Sequence, residues 1–345
     1  MGNFETLEDE VIKKERCTHC GACVSVCPDY NIEWGADDRP RRDEGKGMCK
    51  NCTECYDGCH RVSGHFNSEE MDKFVFGRER NSNESFGIYN KIISARARDE
   101  EILKFAQDGG IATAIAFYLL EENKVDGVIT TGRANANGSW KPVPVIATNK
   151  NELLSTSGSK YYIAPILMTL KDGVIYMELD RLAIIGLPCQ VRSARYLQKI
   201  EADLAPAVTE IIGLFCTKNY DYDELSQIIS DKHISMDQIS KMDVVDGKFK
   251  VYSDSNEHSF SLKEMERSVP EFCKECEDYS AEFADISIGS NGSSRGWSTL
   301  IIRTEKGLQL FTDLENKGYI ETKPVDNLQI VVSNSTRKHQ KAVNL

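Results

Sequence analysis

Long hydrophobic runs are missing from this 345-residue chain. Nothing approaches the roughly 18 apolar residues of a membrane-crossing helix, so no direct membrane span is expected. The opening MGNFETLEDEVIKKER is charged where a secretion signal would be apolar, and no polybasic stretch follows Met1-Gly2 to support a lipid anchor. Positive charge is also in deficit. The 42 Lys and Arg against 54 Asp and Glu leave a formal net charge of −12, which argues against nucleic acid as a partner but leaves room for a local basic pocket. Proline is sparse, at nine residues, while 40% of the chain is hydrophobic and 28% charged. These values describe a globular, cytoplasmic protein with room for two domains.

Cysteine is what the chain has in plenty, with twelve residues. A reducing compartment argues against disulfides as their use, and they fall into three groups of four. Residues 17–28 read Cys17-Thr-His-Cys20-Gly-Ala-Cys23-Val-Ser-Val-Cys27-Pro28, the C-x2-C-x2-C-x3-C-P run of bacterial-type ferredoxins. In that run the fourth cysteine reaches the other cluster. Cys49, Cys52, Cys55 and Cys59 repeat the spacing, with His60 in the place of proline. The expected crossover puts Cys17, Cys20, Cys23 and Cys59 on one [4Fe–4S] cluster and Cys49, Cys52, Cys55 and Cys27 on the other. Zinc also accepts four cysteines, but usually on paired CxxC arms separated by a longer loop. His19, His60 and His65, lying among these cysteines, read as solvated loop residues.

The third group is dispersed. Leu182–Ile185 is an apolar run entering a Gly-Leu-Pro-Cys-Gln turn at Cys189, Ile211–Phe215 is another that stops at Cys216, and Cys273-Lys-Glu-Cys276 follows. Cysteines at the ends of successive predicted strands lie on one rim of an open sheet, where such sheets bind ligands. Four cysteines drawn from three separate places read as a tertiary Fe–S site.

The stretch 67–87 is charged and Asn/Ser-rich and reads as a linker, with room for one short helix, between residues 1–66, a two-cluster ferredoxin-like domain, and an α/β (α+β) domain over 88–345. In the larger domain a helix over 100–122 breaks at Gly109-Gly110, whose freed backbone NH groups suit an anion. Ser157-Gly158-Ser159-Lys160 joins hydroxyls, a glycine and a cation that could hold a phosphate; a capped helix start is the plainer reading. The small-residue loop from Ser290 through Gly292 to Ser298 would let a flat ligand approach the backbone. The last twenty residues read as an edge strand and a tail.

Six motifs in order resemble the family of coenzyme F420 hydrogenase/dehydrogenase beta subunits, flavoproteins of methanogenic archaea and their relatives. They are Gln107-Asp-Gly-Gly110 with Ile-Ala-Thr113, Ser157-Gly-Ser-Lys-Tyr161, Gly186-Leu-Pro-Cys-Gln190, Gly213-Leu-Phe-Cys216, Cys273-x-x-Cys276 and Gly289 through Thr299. The resemblance covers about residues 88–345. It implies one FAD near Gly109, Gly110, Thr113, Ser157–Tyr161, Ser290 and Gly292, a third [4Fe–4S] cluster on Cys189, Cys216, Cys273 and Cys276, and hydride exchange with coenzyme F420. With two amino-terminal clusters, the chain looks like the electron-input subunit of reduced-F420 dehydrogenase, working within a redox complex and held peripherally to a membrane if that complex is. A beta subunit of an F420-dependent formate dehydrogenase or hydrogenase is the alternative. An electron-transfer scaffold without a substrate site is a third reading, disfavoured because a wire needs no α/β domain with glycine-rich loops.

Overall fold

The computed structural model describes residues 2–46, 49, 51–134, 140–253 and 256–343. The cysteine-rich segment holds a short hairpin, β1 (Ile32–Trp34) and β2 (Pro40–Arg42). The chain continues through β3 (Lys91–Ala97), β4 (Gly127–Arg133), β5 (Pro142–Ala147), β6 (Leu182–Gly186) and β7 (Val208–Leu214). A three-stranded antiparallel sheet follows, β8 (Ile239–Val245), β9 (Lys248–Ser253) and β10 (Asn256–Ser261), and then β11 (Ile286–Gly289), β12 (Ser298–Ile302) and β13 (Ile320–Lys323).

Eight strands form the central sheet, in the order β13-β3-β12-β11-β7-β6-β4-β5. Its middle pairs, β11–β7, β7–β6 and β6–β4, are parallel, and the outer pairs are antiparallel. Parallel strands are covered on both faces and so read as continuous apolar runs; every residue of β6 is buried. Side chains alternate between faces. Ala183 and Ile185 enter one core with the helices Ile111–Glu121 and Glu305–Asn316. Leu182 and Ile184 enter the other, with helix Pro188–Lys199.

That second core also receives Ala22 from the first cysteine loop. Gly21 turns the chain there with φ +88°, and a Cβ on it would stand 2.6 Å from the Met168 backbone nitrogen and the Pro165 oxygen. The ferredoxin segment is therefore seated against the sheet layer.

The linker carries its one short helix, and the final stretch differs from the sequence reading. Within 67–87 lies a nine-residue helix, Ser68–Phe76, capped by Asn67 and ended by Gly77 at φ +70°. One of its charges faces inward: buried Asp72 pairs with Arg80, which also pairs with buried Glu282. The final stretch is no edge strand and tail. The edge strand is β13, and Leu328–Val343 is a helix whose Val331 and Ser335 are fully buried. Among the described residues no helix is long and apolar enough to cross a membrane.

Candidate functional site: one rim of the sheet

The strand directions put the C-terminal ends of β3, β4, β6, β7 and β11 on one rim, with the N-terminal ends of β5, β12 and β13. Cys189 sits in the first turn of the helix after β6, and Cys216 just past β7. All twelve thiols are free of disulfides. Burial pushes the Cys17 thiol up to about 12, helped by Cys20 and Cys59. Burial likewise takes Cys55 to about 12, helped by Cys27, Cys52 and Cys49. Cys59 thus lies with the first triplet and Cys27 with the second. Cys55 is also among the neighbours that raise Cys23, after burial and Cys17, Cys20 and Cys59.

Cys189 is raised by burial and then by Cys276, Cys216 and Cys273, with Cys20 next. The dispersed quartet therefore gathers beside the ferredoxin segment. Ser193, one turn after Cys189, donates to Cys20 Sγ at 3.3 Å. The four thiols line a cavity of about 250 Å³ together with Arg192, Lys338, Asn219, Thr18 and His60. Burial opposes the charge on Lys338, but Cys276, Cys216 and Cys273 outweigh it and hold the amine above its ordinary value. Its Nζ donates to the carbonyls of Cys216 and Asp278, both at 2.8 Å. Arg192 pairs with Glu277 and buried Asp278. Among the described residues no three Cys, His, Asp or Glu side chains close on a point as the ligands of one ion would. Four thiols around one cavity are a donor set that fits an iron–sulfur cluster, and four cysteines also suit zinc. Two half-buried cations beside four thiols suit an anionic thiolate centre.

Further along the rim, Gly110 takes φ +70° and opens helix Ile111–Glu121. Gly109 donates its N–H to Ser298 Oγ at 3.2 Å, and a Cβ there would meet the Ala95 oxygen at 2.7 Å. Thr113 Oγ1 and Ser157 Oγ lie 3.3 Å apart. The Ser157–Tyr161 stretch starts no helix; it follows the helix Lys150–Ser155, with Gly158 at φ +84° and open space around it. Ser159 is half-buried. Lys160 donates to the carbonyls of Thr156 and Ser157, and burial, then Arg133, lowers its amine to about 7. Arg133 stacks over Trp140 at 4.3 Å. Among the described residues no carboxylate pairs with either cation, so the site has charge to offer an anion. Tyr161 packs on Tyr220 and Phe249 of the small-sheet core. Ser290 donates to Asp108 at 2.5 Å, and Gly292, at φ +101°, has Thr299 Oγ1 2.8 Å from where its Cβ would be.

Known proteins are similar to this chain in sequence and in fold. Residues 92–171 match the N-terminal model, and 179–328 the C-terminal model, of the "Coenzyme F420 hydrogenase/dehydrogenase, beta subunit". Residues 9–60 match the 4Fe-4S dicluster domain. An F(420)H(2) dehydrogenase component of Methanosarcina mazei is 30% identical over 334 residues, covering 93% of this chain and 89% of that one. The chain belongs to the family of coenzyme F420 hydrogenase/dehydrogenase beta subunits. Coenzyme F420-dependent sulfite reductase of Methanocaldococcus jannaschii is 34% identical over 94% of the chain, which spans only 50% of that relative's length. A chain of the F420-reducing [NiFe] hydrogenase complex from Methanosarcina barkeri superposes with a TM-score of 0.73 at 35% identity, covering 77% of this chain and 94% of that one.

In this family's fold the matched stretches divide the rim. The first carries the glycine turn and Lys160, the second the dispersed quartet. Lys338 lies beyond both, on the C-terminal helix, and its place at the quartet was missed from sequence. Arg133 and Arg192 were likewise missed; for Arg192 the signal available was its place three residues after the motif cysteine Cys189. His60, read as a solvated loop residue, is 5% exposed, and burial pushes its imidazole well below the usual value. His19 is half-buried, and burial, then Arg39, lowers its imidazole to about 4. His65 is half-buried and stacks on Tyr196.

Proposed function

We propose that the chain is the electron-input subunit of a reduced-F420 dehydrogenase, exchanging a hydride with coenzyme F420 through FAD and passing electrons singly through three [4Fe–4S] clusters to a partner complex. The observation that carries this reading is the gathering of Cys189, Cys216, Cys273 and Cys276 on one cavity, with Cys20 of the ferredoxin segment as their neighbour. A chain that handled hydride alone would need no thiol path away from the rim.

When bound, the flavin couples the two-electron chemistry of a deazaflavin to the one-electron chemistry of the clusters. The protein's task is to hold and position. Lys160 and Arg133 neutralise an anionic phosphate, with the Thr113 and Ser157 hydroxyls in hydrogen-bonding reach of each other beside it. Gly109, Gly110, Gly158, Ser159, Tyr161, Ser290 and Gly292 shape the open half of the rim. The twelve cysteines hold the clusters: Cys17, Cys20, Cys23 and Cys59; Cys27, Cys49, Cys52 and Cys55; and the dispersed four. Arg192 and Lys338 offset the thiolate charge of the last set. Residues 1–66 act as the outgoing two-cluster module of residues 88–345.

Iron, acid-labile sulfide and flavin analysis of anaerobically purified protein tests the reading. Twelve Fe and one FAD per chain are expected. About eight Fe, zinc at a quartet, or the failure of flavin to bind would overturn it.

A further inference from the structure

The cavity around the dispersed quartet has a wall that the larger domain does not supply. Thr18 and His60, both from the ferredoxin segment, line it with Cys189, Cys216, Cys273 and Cys276. Thr18 is 6% exposed and His60 5%. Thr18 Oγ1 and both ring nitrogens of His60 are buried without a hydrogen-bond partner among the described residues. In any tautomer one imidazole nitrogen carries a hydrogen, and a hydroxyl always does, so at least two donors have no protein acceptor. The Phe66 ring meets the imidazole edge-on, 6.1 Å between centroids, and itself lies under the Arg192 guanidinium at 5.1 Å; neither offers an acceptor. Buried donors in native proteins are nearly always satisfied, and here the space they border is the one ringed by sulfur. The sequence offers an independent pointer. Pro28 follows the first ferredoxin run, but His60 follows the second, and a proline side chain could donate nothing.

We propose that His60 and Thr18 donate hydrogen bonds to sulfur of the centre held by the dispersed quartet, so that the ferredoxin segment sets that centre's reduction potential. The inference rests on the reading that this quartet holds a [4Fe–4S] cluster. Hydrogen bonds to cluster sulfurs favour the more negative, reduced form and raise the potential. Neither side chain ligates iron; both are positioning residues that tune it.

The test is an EPR-monitored redox titration of the whole anaerobic protein, with the third centre's signal identified by its loss in Cys216→Ser. His60→Leu removes the donor. It should shift that centre's one-electron equilibrium about tenfold toward the oxidised form, roughly 59 mV lower. His60→Gln keeps an N–H and should restore most of the shift. A structural role alone would not produce that recovery. Should His60→Leu lose iron, Thr18→Val, which keeps the shape, carries the test: a lowered potential supports the inference and an unchanged one overturns it. His60→Leu with twelve Fe and an unmoved potential also overturns it. Eight Fe in the wild type would instead remove the cluster reading beneath it, a separate outcome that overturns both.

Discussion

Lys160 lets pH report on what the glycine-loop half of the rim binds. Burial, reinforced by Arg133, takes its amine from 10.5 to about 7. Between those values the unfolded chain holds a proton that the folded, cofactor-free chain has released. Stability from this residue therefore falls as pH drops through that window. A phosphate seated beside the amine would favour the charged form and return its value toward 10.5. Binding would then take up a proton, and affinity would weaken as pH rises above 7. With a full return, affinity at pH 9 is roughly a hundredfold below that at pH 6, about 2.7 kcal/mol. Lys160 is only partly buried by surface area, and solvent screening trims the effect toward tenfold. Deflavinated protein titrated with FAD at the two pH values, followed by flavin fluorescence, gives the ratio. Calorimetry near pH 8 in buffers of different ionisation enthalpy gives the proton count, expected near one. Lys160→Met should bind about ten- to a hundredfold more weakly at pH 6 and show little pH dependence. Equal wild-type affinities at pH 6 and 9 with no proton uptake would refute the phosphate contact. If the flavin constant stays flat while the apparent Michaelis constant for coenzyme F420 climbs with pH, Lys160 serves the acidic tail of that coenzyme instead.

Cys216→Ser should cost about four of twelve irons and slow single-electron delivery to an external acceptor, while reduced F420 still bleaches the flavin. Loss of both steps with FAD retained would break the assigned order. Deleting residues 1–66 strips Ala22 from the core shared with Ile166 and Leu167 and unseats the Gly21 turn from Met168. The truncated chain should therefore show a sharp fall in soluble yield and melting temperature. A soluble product with unchanged melting would show that this packing contributes little.

Much of the rim was readable because metal ligation and tight turns impose fixed spacings. The eight ferredoxin cysteines follow a run that a cluster dictates, and Gly110, at φ +70°, breaks its helix where the sequence places two glycines. The Pro188–Cys189 turn was legible because β6 is apolar throughout and stops at it. Helix Ser68–Phe76 was legible only as one short helix within the linker, without its bounds, because its buried face includes a charge. Asp72 is satisfied by Arg80, and Arg80 by Glu282, 202 residues away, and no local pattern announces such a partner. The helix carrying Lys338 did leave a trace: Val331, Ser335 and Lys338 repeat at helical spacing, but a serine and a lysine on the inner face hid the stripe. His60 was visible only as a missing proline, and its burial depends on Phe66 and on a wall that the linear chain does not display.

The contact of Ser193 with Cys20 has a further consequence, for noise. Ser193 and Cys189 are four residues apart on one helix, a rise of about 6 Å that backbone hydrogen bonds hold nearly constant. Electron tunnelling falls exponentially with distance, so a gap that breathes with domain motion would make transfer fitful. Here a single rigid rod carries a thiol of one quartet and, a turn later, touches a thiol of the next. On the proposed reading, the helix fixes the spacing of Ser193 and Cys189, and the hydrogen bond from Ser193 to Cys20 ties the ferredoxin segment to it, so the gap between the two thiols is as steady as that one contact.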